Sequence, residues 1–166
     1  MPDVNPDRRL VFRRPGGGGV KLDVHALRRM ESFRQVGAFQ PEAGGILLGR
    51  YIVDSADVVV DEVSEPMPGD RRTRLSFFRH QEAHQRLIAR RWRESEGTCH
   101  YLGEWHTHPE ACPTPSRIDL SDWKRRLSED QFAADFLLFA IVGTHRIRLW
   151  EGHRRSHGLH PLAEAR

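Results

Sequence analysis

The stretch His106-Thr107-His108-Pro109, followed by Ser116-Arg117-Ile118-Asp119, reads H-x-H-x7-S-x-x-D. Upstream, Glu42 stands in Pro41-Glu42-Ala43-Gly44-Gly45, at the head of an apolar run. These five positions supply two imidazoles, one hydroxyl and two carboxylates. Two imidazoles and one carboxylate make three protein ligands and leave a fourth position for water. That is the pattern of a catalytic zinc ion rather than a structural one. Glu42 then suits the base that takes a proton from water acidified by the metal and hands it to a leaving amine.

Each feature also has an ordinary reading. His106 and His108 are two of ten histidines in the chain. Ser116 and Asp119 are spaced as a capping box, although glutamate or glutamine is more usual than aspartate at the fourth position. A lone Glu42 is by default a solvated acid at a strand start. Cys112, inside the intervening loop, is an alternative fourth ligand that would close the site.

The surrounding elements decide whether the groups meet. Cys99 to His106 reads as an extended run, and residues two apart on a strand face the same side. Pro109 to Pro115 is a loop, with three prolines in seven residues. It is long enough to fold the next helix, Ser116 to Glu129, back over the histidines. Ala43 to Val53 and Val58 to Val63 read as buried strands, and Leu75 to Phe78 as a short one. Phe136 to Gly143 pairs with Arg146 to Trp150 through a turn at Gly143-Thr144. Asp23 to Val36 and His80 to Glu94 have helical spacing, with Asp23 as an N-cap. Leu10 to Arg14 reads as an edge strand, and Gly16 to Gly19 as a turn. The chain is expected to be α/β in layers, a mixed and largely antiparallel sheet flanked by helices. One domain is expected over 1–166, with its core at about 20–151 and a flexible tail at 152–166.

Composition narrows the function classes. The chain has 166 residues, 38% hydrophobic, and a formal charge of +3. No apolar run is long enough to span a membrane, and Met1 to Arg14 lacks a signal-peptide core, so a cytoplasmic protein is expected. Cys99 and Cys112 do not make a disulfide framework. The basic excess is almost all arginine, since only Lys21 and Lys124 are lysines. Arg71-Arg72-Thr73-Arg74 and Arg90-Arg91-Trp92-Arg93 are read as solvated faces, not as a nucleic-acid surface.

Glu42, His106-Thr107-His108-Pro109 and Ser116-Arg117-Ile118-Asp119 together resemble the signature of the JAB1/MPN/Mov34 (JAMM) metalloprotease family. The spacing of seven between His108 and Ser116 matches, and the element order agrees from about residue 20 to 151. The resemblance implies the MPN/JAB architecture, similar to cytidine deaminases, and one Zn2+ per chain. His106, His108 and Asp119 would be metal ligands, Glu42 the acid/base, and Ser116 a donor to the oxyanion. It implies an isopeptidase or peptidase that removes a ubiquitin-like protein from a target or trims its C-terminus. The partner would be that protein or its conjugate, its tail shaped into a channel by loops 65–74 and 109–115. Alanine at Arg72 and Arg74 is then expected to raise KM. The short length resembles the bacterial JAB branch, and within it the group encoded beside conjugation enzymes in anti-phage operons of the CBASS type. The competing class is an inert MPN scaffold, which is expected to lack the ligands that this chain keeps.

Overall fold

The computed structural model describes residues 9–166. In chain order the elements are β1 (Leu10–Arg13), β2 (Gly19–Leu22), α1 (Val24–Glu31), β3 (Gly44–Tyr51), β4 (Val58–Val63), β5 (Arg71–Thr73) and β6 (Ser76–Phe78). Then come α2 (Gln81–Glu94), β7 (His100–Thr107), α3 (Arg117–Glu129), β8 (Phe136–Val142), β9 (Ile147–His153), β10 (Leu159–Pro161) and β11 (Ala163–Glu164). Nine strands form one sheet in the order β10-β9-β8-β7-β3-β4-β2-β1-β11, while β5 and β6 form a separate hairpin. Among the described residues only the pairs β2–β4 and β7–β8 are parallel. The mixed, largely antiparallel sheet with three flanking helices agrees with the sequence.

Both faces of the sheet are covered. This is why β8 reads as the unbroken apolar run Phe-Leu-Leu-Phe-Ala-Ile-Val. Leu138, Ala140 and Val142 pack with Ala26, Leu27 and Met30 of α1. Leu137, Phe139 and Ile141 pack on the other side with Trp123 and Leu127 of α3. Trp123 lies stacked on Phe139 with ring centroids 4.8 Å apart. Helix α2 joins that second layer more loosely, through Leu87 and Ile88.

Three expectations change. Helix α1 stops at Glu31 instead of running to Val36, which is 79% exposed. The Val24–Phe33 spacing carried the helical pattern past the point where the chain turns toward β3. β1 is flanked on both sides, by β2 and β11, and is not an edge. The expected flexible tail supplies β10 and β11 instead. Pro161 pairs with Trp150 and Ala163 pairs with Arg13, so the C-terminal segment links the two ends of the sheet. Arg14 reinforces that closure, bonding Glu151 at 2.8 Å and lying 4.0 Å over the Phe136 ring. Strands of two or three residues have no readable periodicity, and the His, Arg and Gly content masked them. Among the described residues no helix is long and apolar enough to cross a membrane.

Candidate metal centre

β7 lies in the middle of the sheet, between β3 and β8. Gly44 of β3 faces His106 from one side and Ile141 of β8 faces it from the other. The His108 amide extends the ladder to the Val142 carbonyl at 3.0 Å. The pairing shifts opposite Leu47 and Leu48, where Leu102 is left over between Tyr101 and Gly103. Gly103 takes φ +145°, and a Cβ there would overlap the Leu138 carbonyl. The bulge puts both Leu102 and Trp105 on the α1 side. His106 therefore points to the α3 side, 6.3 Å from the Trp123 ring. A bulge that re-aims side chains beside a site is a recurrent device. A glycine inside a strand is its sequence signal.

The two imidazoles face the same way, as the strand spacing required. Their Nε2 atoms are 3.0 Å apart. The loop over 109–115 returns the chain across them. It is fastened to the β8–β9 turn, where Thr144 donates to the Glu110 carbonyl at 2.8 Å and Arg146 to the Ala111 carbonyl at 3.0 Å. Helix α3 then opens with a full capping box. The Asp119 amide donates to Ser116 Oγ at 3.1 Å, and the Ser116 amide to Asp119 Oδ2 at 2.7 Å. The geometry of the cap is also the one that the ligand reading of Asp119 requires. The cap fixes the Asp119 carboxylate with Oδ1 3.3 Å from His106 Nε2 and Oδ2 3.1 Å from His108 Nε2.

Glu42 enters from the other side. It precedes β3 and is 3% exposed, with Oε1 3.8 Å from His108 Nε2. The hairpin β5–β6 holds its backbone. The Glu42 amide donates to the Thr73 carbonyl, and Arg72 Nε donates to the Glu42 carbonyl, both at 2.7 Å. Arg74 likewise donates to the Gly37 carbonyl at 3.2 Å. The arginine-rich stretch thus binds the hairpin down onto the segment that carries Glu42. Gly44 allows that contact, because a Cβ there would sit 2.6 Å from both the Phe77 ring and the Trp105 carbonyl. Ala43 and Thr107 add a buried tie at 2.9 Å, and Gln35 bonds Thr107 Oγ1 at 2.9 Å. Neither Thr107, Gln35 nor the inward role of Arg72 was foreseen. Only the polar Thr between two histidines hinted at any of it.

Burial pushes the Glu42 carboxyl up to about 7, against the pull of the His106 and His108 charges. Asp119 is partly buried, which alone would raise it. Hydrogen bonds from both imidazoles and from the Ser116 amide overcome this and hold it far below the usual carboxylate range. Burial lowers the His108 imidazole, but Asp119, Glu42 and Glu110 together raise it. Two carboxylates in one pocket are thereby driven in opposite directions.

The donor set fits a small cation. Glu42, His106 and His108 offer ligand atoms that all lie within 4.8 Å of one another. Asp119 lies closer to both imidazoles than Glu42 does. Nε2 atoms on a tetrahedral zinc ion stand about 3.3 Å apart, close to the separation here. The two Nε2 atoms stand 3.0 Å apart and both lie against the Asp119 carboxylate, so a cation held among the three would meet all of them. Cys112 is exposed and is not part of the cluster.

A narrow cleft leads to this cluster between Leu75, Phe77 and Phe78 of the hairpin and Ser116, Ile118 and Asp119 of α3. A larger concavity, about 1060 Å3, lies along α2 beside Leu87, Trp92, Tyr101 and Phe132, and shares none of these residues. His106 and Asp119 line the cleft, whereas the larger groove, lined by Cys99, His100 and Tyr101 among others, includes no residue of the cluster.

The fold and the cluster define a JAB-type domain. Residues 25–153 match the family described as prokaryotic homologs of the JAB domain. The chain belongs to that family. It is 36% identical over 148 residues to a protein of Vibrio cholerae serotype O1 named CD-NTase/cGAS isopeptidase, covering 89% of this chain and 90% of that one. It is 40% identical over 121 residues to a protein of the same name from Pseudomonas aeruginosa, covering 71% and 75%. The fold is similar to the solution structure of protein DSY2949 from Desulfitobacterium hafniense, with a TM-score of 0.57 at 21% identity, covering 84% of this chain and 87% of that one.

Proposed function

We propose that the chain is a zinc-dependent isopeptidase, with His106, His108 and Asp119 holding the metal and Glu42 as acid/base. The observation that carries this is the convergence of both Nε2 atoms and the Asp119 carboxylate within 3.0 to 3.3 Å, with Glu42 at 3.8 Å. The opposite charge tuning supports this division of roles. Asp119 stays ionised and suits a ligand, while Glu42, near 7, exchanges protons at working pH. Zinc, when bound, supplies a Lewis acid that acidifies water and polarises a carbonyl.

The residues then divide the work. Glu42 accepts the proton of the attacking water and passes it to the leaving amine nitrogen as the amide C–N bond breaks. Ser116 Oγ accepts from the Asp119 amide, so its own proton is free to donate to the oxyanion. Leu75 and Ile118, 72% and 57% exposed, border the cleft where an extended C-terminal tail would lie. Arg72 and Arg74 hold the hairpin, so their alanine variants are expected to lower kcat by loosening Glu42 as well as to raise KM.

The substrate class is a protein conjugated through the C-terminus of a ubiquitin-like protein. The names of the relatives favour a CD-NTase as the protein so conjugated. That reading sets the work in the cytoplasm, in anti-phage defence, beside conjugating enzymes. The complete ligand set favours an enzyme over an inert scaffold. The test is cleavage of a ubiquitin-like protein linked through its C-terminus to a lysine, by zinc-loaded wild type beside Glu42→Ala. Cutting by the first alone supports the proposal. One bound zinc without cutting refutes the substrate, and no bound zinc refutes the metal centre.

A further inference from the structure

Ser64, His84 and Asp70 make a second polar chain that the reaction above does not use. His84 is fully buried, as is the Asp70 side chain, and Ser64 is 3% exposed. The Ile46 amide donates to Ser64 Oγ at 2.8 Å, and Ser64 Oγ lies 2.9 Å from His84 Nδ1. His84 Nε2 is 3.1 Å from both oxygens of Asp70. Proton counting orders the chain. Asp70, already accepting two amides, takes the Nε2 proton of a His84 that burial keeps neutral, so Nδ1 accepts from the Ser64 hydroxyl. The burial keeps any substrate from Ser64, so a hydrolytic triad is excluded.

The position of the chain gives it a different use. Asp70 also accepts from the amides of Met67 and His80, each at 2.6 Å. Residues 70 and 80 are the two ends of the β5–β6 hairpin, so the Asp70 carboxylate closes its stem. His84 and Ser64 tie that stem to Ile46 in β3. The body of the hairpin reaches Glu42 through Thr73 and Arg72 and lays Phe77 on Gly44. Arg79, at the second leg, is anchored separately on Glu104 and Asp130, each at 2.9 Å.

We propose that the Ser64–His84–Asp70 chain is a positioning device for Glu42: it locks the hairpin stem to β3, and the hairpin fixes the backbone of Glu42. All three are positioning residues, since none touches the reacting atoms. The inference rests on Glu42 being the acid/base.

The test is amide hydrogen exchange on the full chain, comparing wild type with His84→Leu and His84→Gln. Leucine breaks both links at similar volume. Glutamine can accept from Ser64 and donate to Asp70. In His84→Leu, amides over 71–78 and at Glu42 are expected to exchange roughly tenfold faster, with β8 and α1 unchanged and zinc still bound. Glutamine restores protection. Unchanged hairpin protection overturns the proposal, and so does an even acceleration through β8 and α1. Ser64→Ala breaks one link with less change in volume and takes the place of His84→Leu if that variant does not fold. The second readout is turnover of ubiquitin linked through its C-terminus to a lysine. The expected result is a roughly tenfold loss in kcat, KM within about twofold, and recovery in His84→Gln. A freed hairpin with unchanged kcat overturns the proposal. If wild type leaves this probe uncut, the substrate reading falls, and exchange at Glu42 still decides the clamp.

Discussion

Two regions of this molecule bring a serine, an aspartate and imidazole together, and they do opposite things. Around Ser64, Asp70 and His84 every polar atom has a complementary partner, so the chain is closed and solvent is excluded. Around Ser116, Asp119, His106 and His108 the balance fails. Two ring nitrogens confront each other at 3.0 Å and share one carboxylate, with a second carboxylate nearby. A satisfied network gives rigidity, whereas two ring nitrogens set against each other and against a shared carboxylate suit a cation. Residue types do not separate the two regions. Hydrogen-bond accounting does.

The sharpest way to break that contrast is to remove the group that only chemistry needs. Glu42→Gln keeps the shape and is expected to cost roughly 10³-fold in kcat with the fold and zinc content intact. A variant that retains more than a tenth of wild-type turnover would remove Glu42 as the base. The serines offer the next comparison. Ser116→Ala should lower kcat by about 10²-fold through loss of an oxyanion donor, and stability by about 1 kcal/mol through loss of the cap. Ser64→Ala should weigh the other way, costing about 2 kcal/mol because it leaves the buried Ile46 amide unpaired, with only the roughly tenfold loss in turnover expected of a freed hairpin. Unfolding curves and steady-state kinetics on the same preparations separate the two. Equal effects on kcat would erase the distinction.

The sequence made the two regions unequally legible for a physical reason. The proposed metal centre is built from local spacings. His106 and His108 share a strand face, Ser116 and Asp119 share a helix turn, and a proline-rich loop of fixed length joins them. Such periodicities are written in the order of residues. Glu42 was legible only through resemblance, because nothing local distinguishes it from a surface acid. The clamp has no local pattern. Ser64, Asp70 and His84 come from the end of a strand, a turn and a helix, and only the packing of α2 against β3 and β7 joins them. The bulge at Gly103 sits between these cases, since a strand glycine marked it but did not reveal its consequence. The closure of the sheet by β10 and β11 was invisible for the same reason as the clamp, being a tertiary pairing of very short segments.

Acid–base linkage sharpens the comparison at smaller amplitude. The folded Glu42 carboxyl is raised to about 7 by burial. Its neutral form is favoured in the fold, so its contribution to stability is fully present below the unfolded pKa and is lost as pH rises through about 7. In metal-free protein, Glu42→Gln escapes that loss. Its stability relative to wild type should climb between pH 4.5 and 7 and then level at roughly 3 kcal/mol. Denaturant titrations of both metal-free proteins across pH 4 to 8 measure it. A flat difference would mean that Glu42 is better solvated than its burial indicates.

The smallest effect concerns the two thiols, which repeat the contrast between a satisfied interior and an open rim. Cys99 is buried beside Glu62, and burial first, then that charge, pushes its thiol up to about 11. Cys112 is exposed in the loop that swings α3 over the histidines. Iodoacetamide at pH 8 should therefore modify one cysteine in the folded protein, and peptide mapping should place it at Cys112. Cys99 should react only on unfolding. The labelled protein should keep its zinc and most of its activity, because the three proposed ligands, His106, His108 and Asp119, would leave the fourth position to water. Loss of zinc on labelling Cys112 would make that thiol the fourth ligand. The centre would then be closed and structural, and the difference between the two regions would lie in the metal alone.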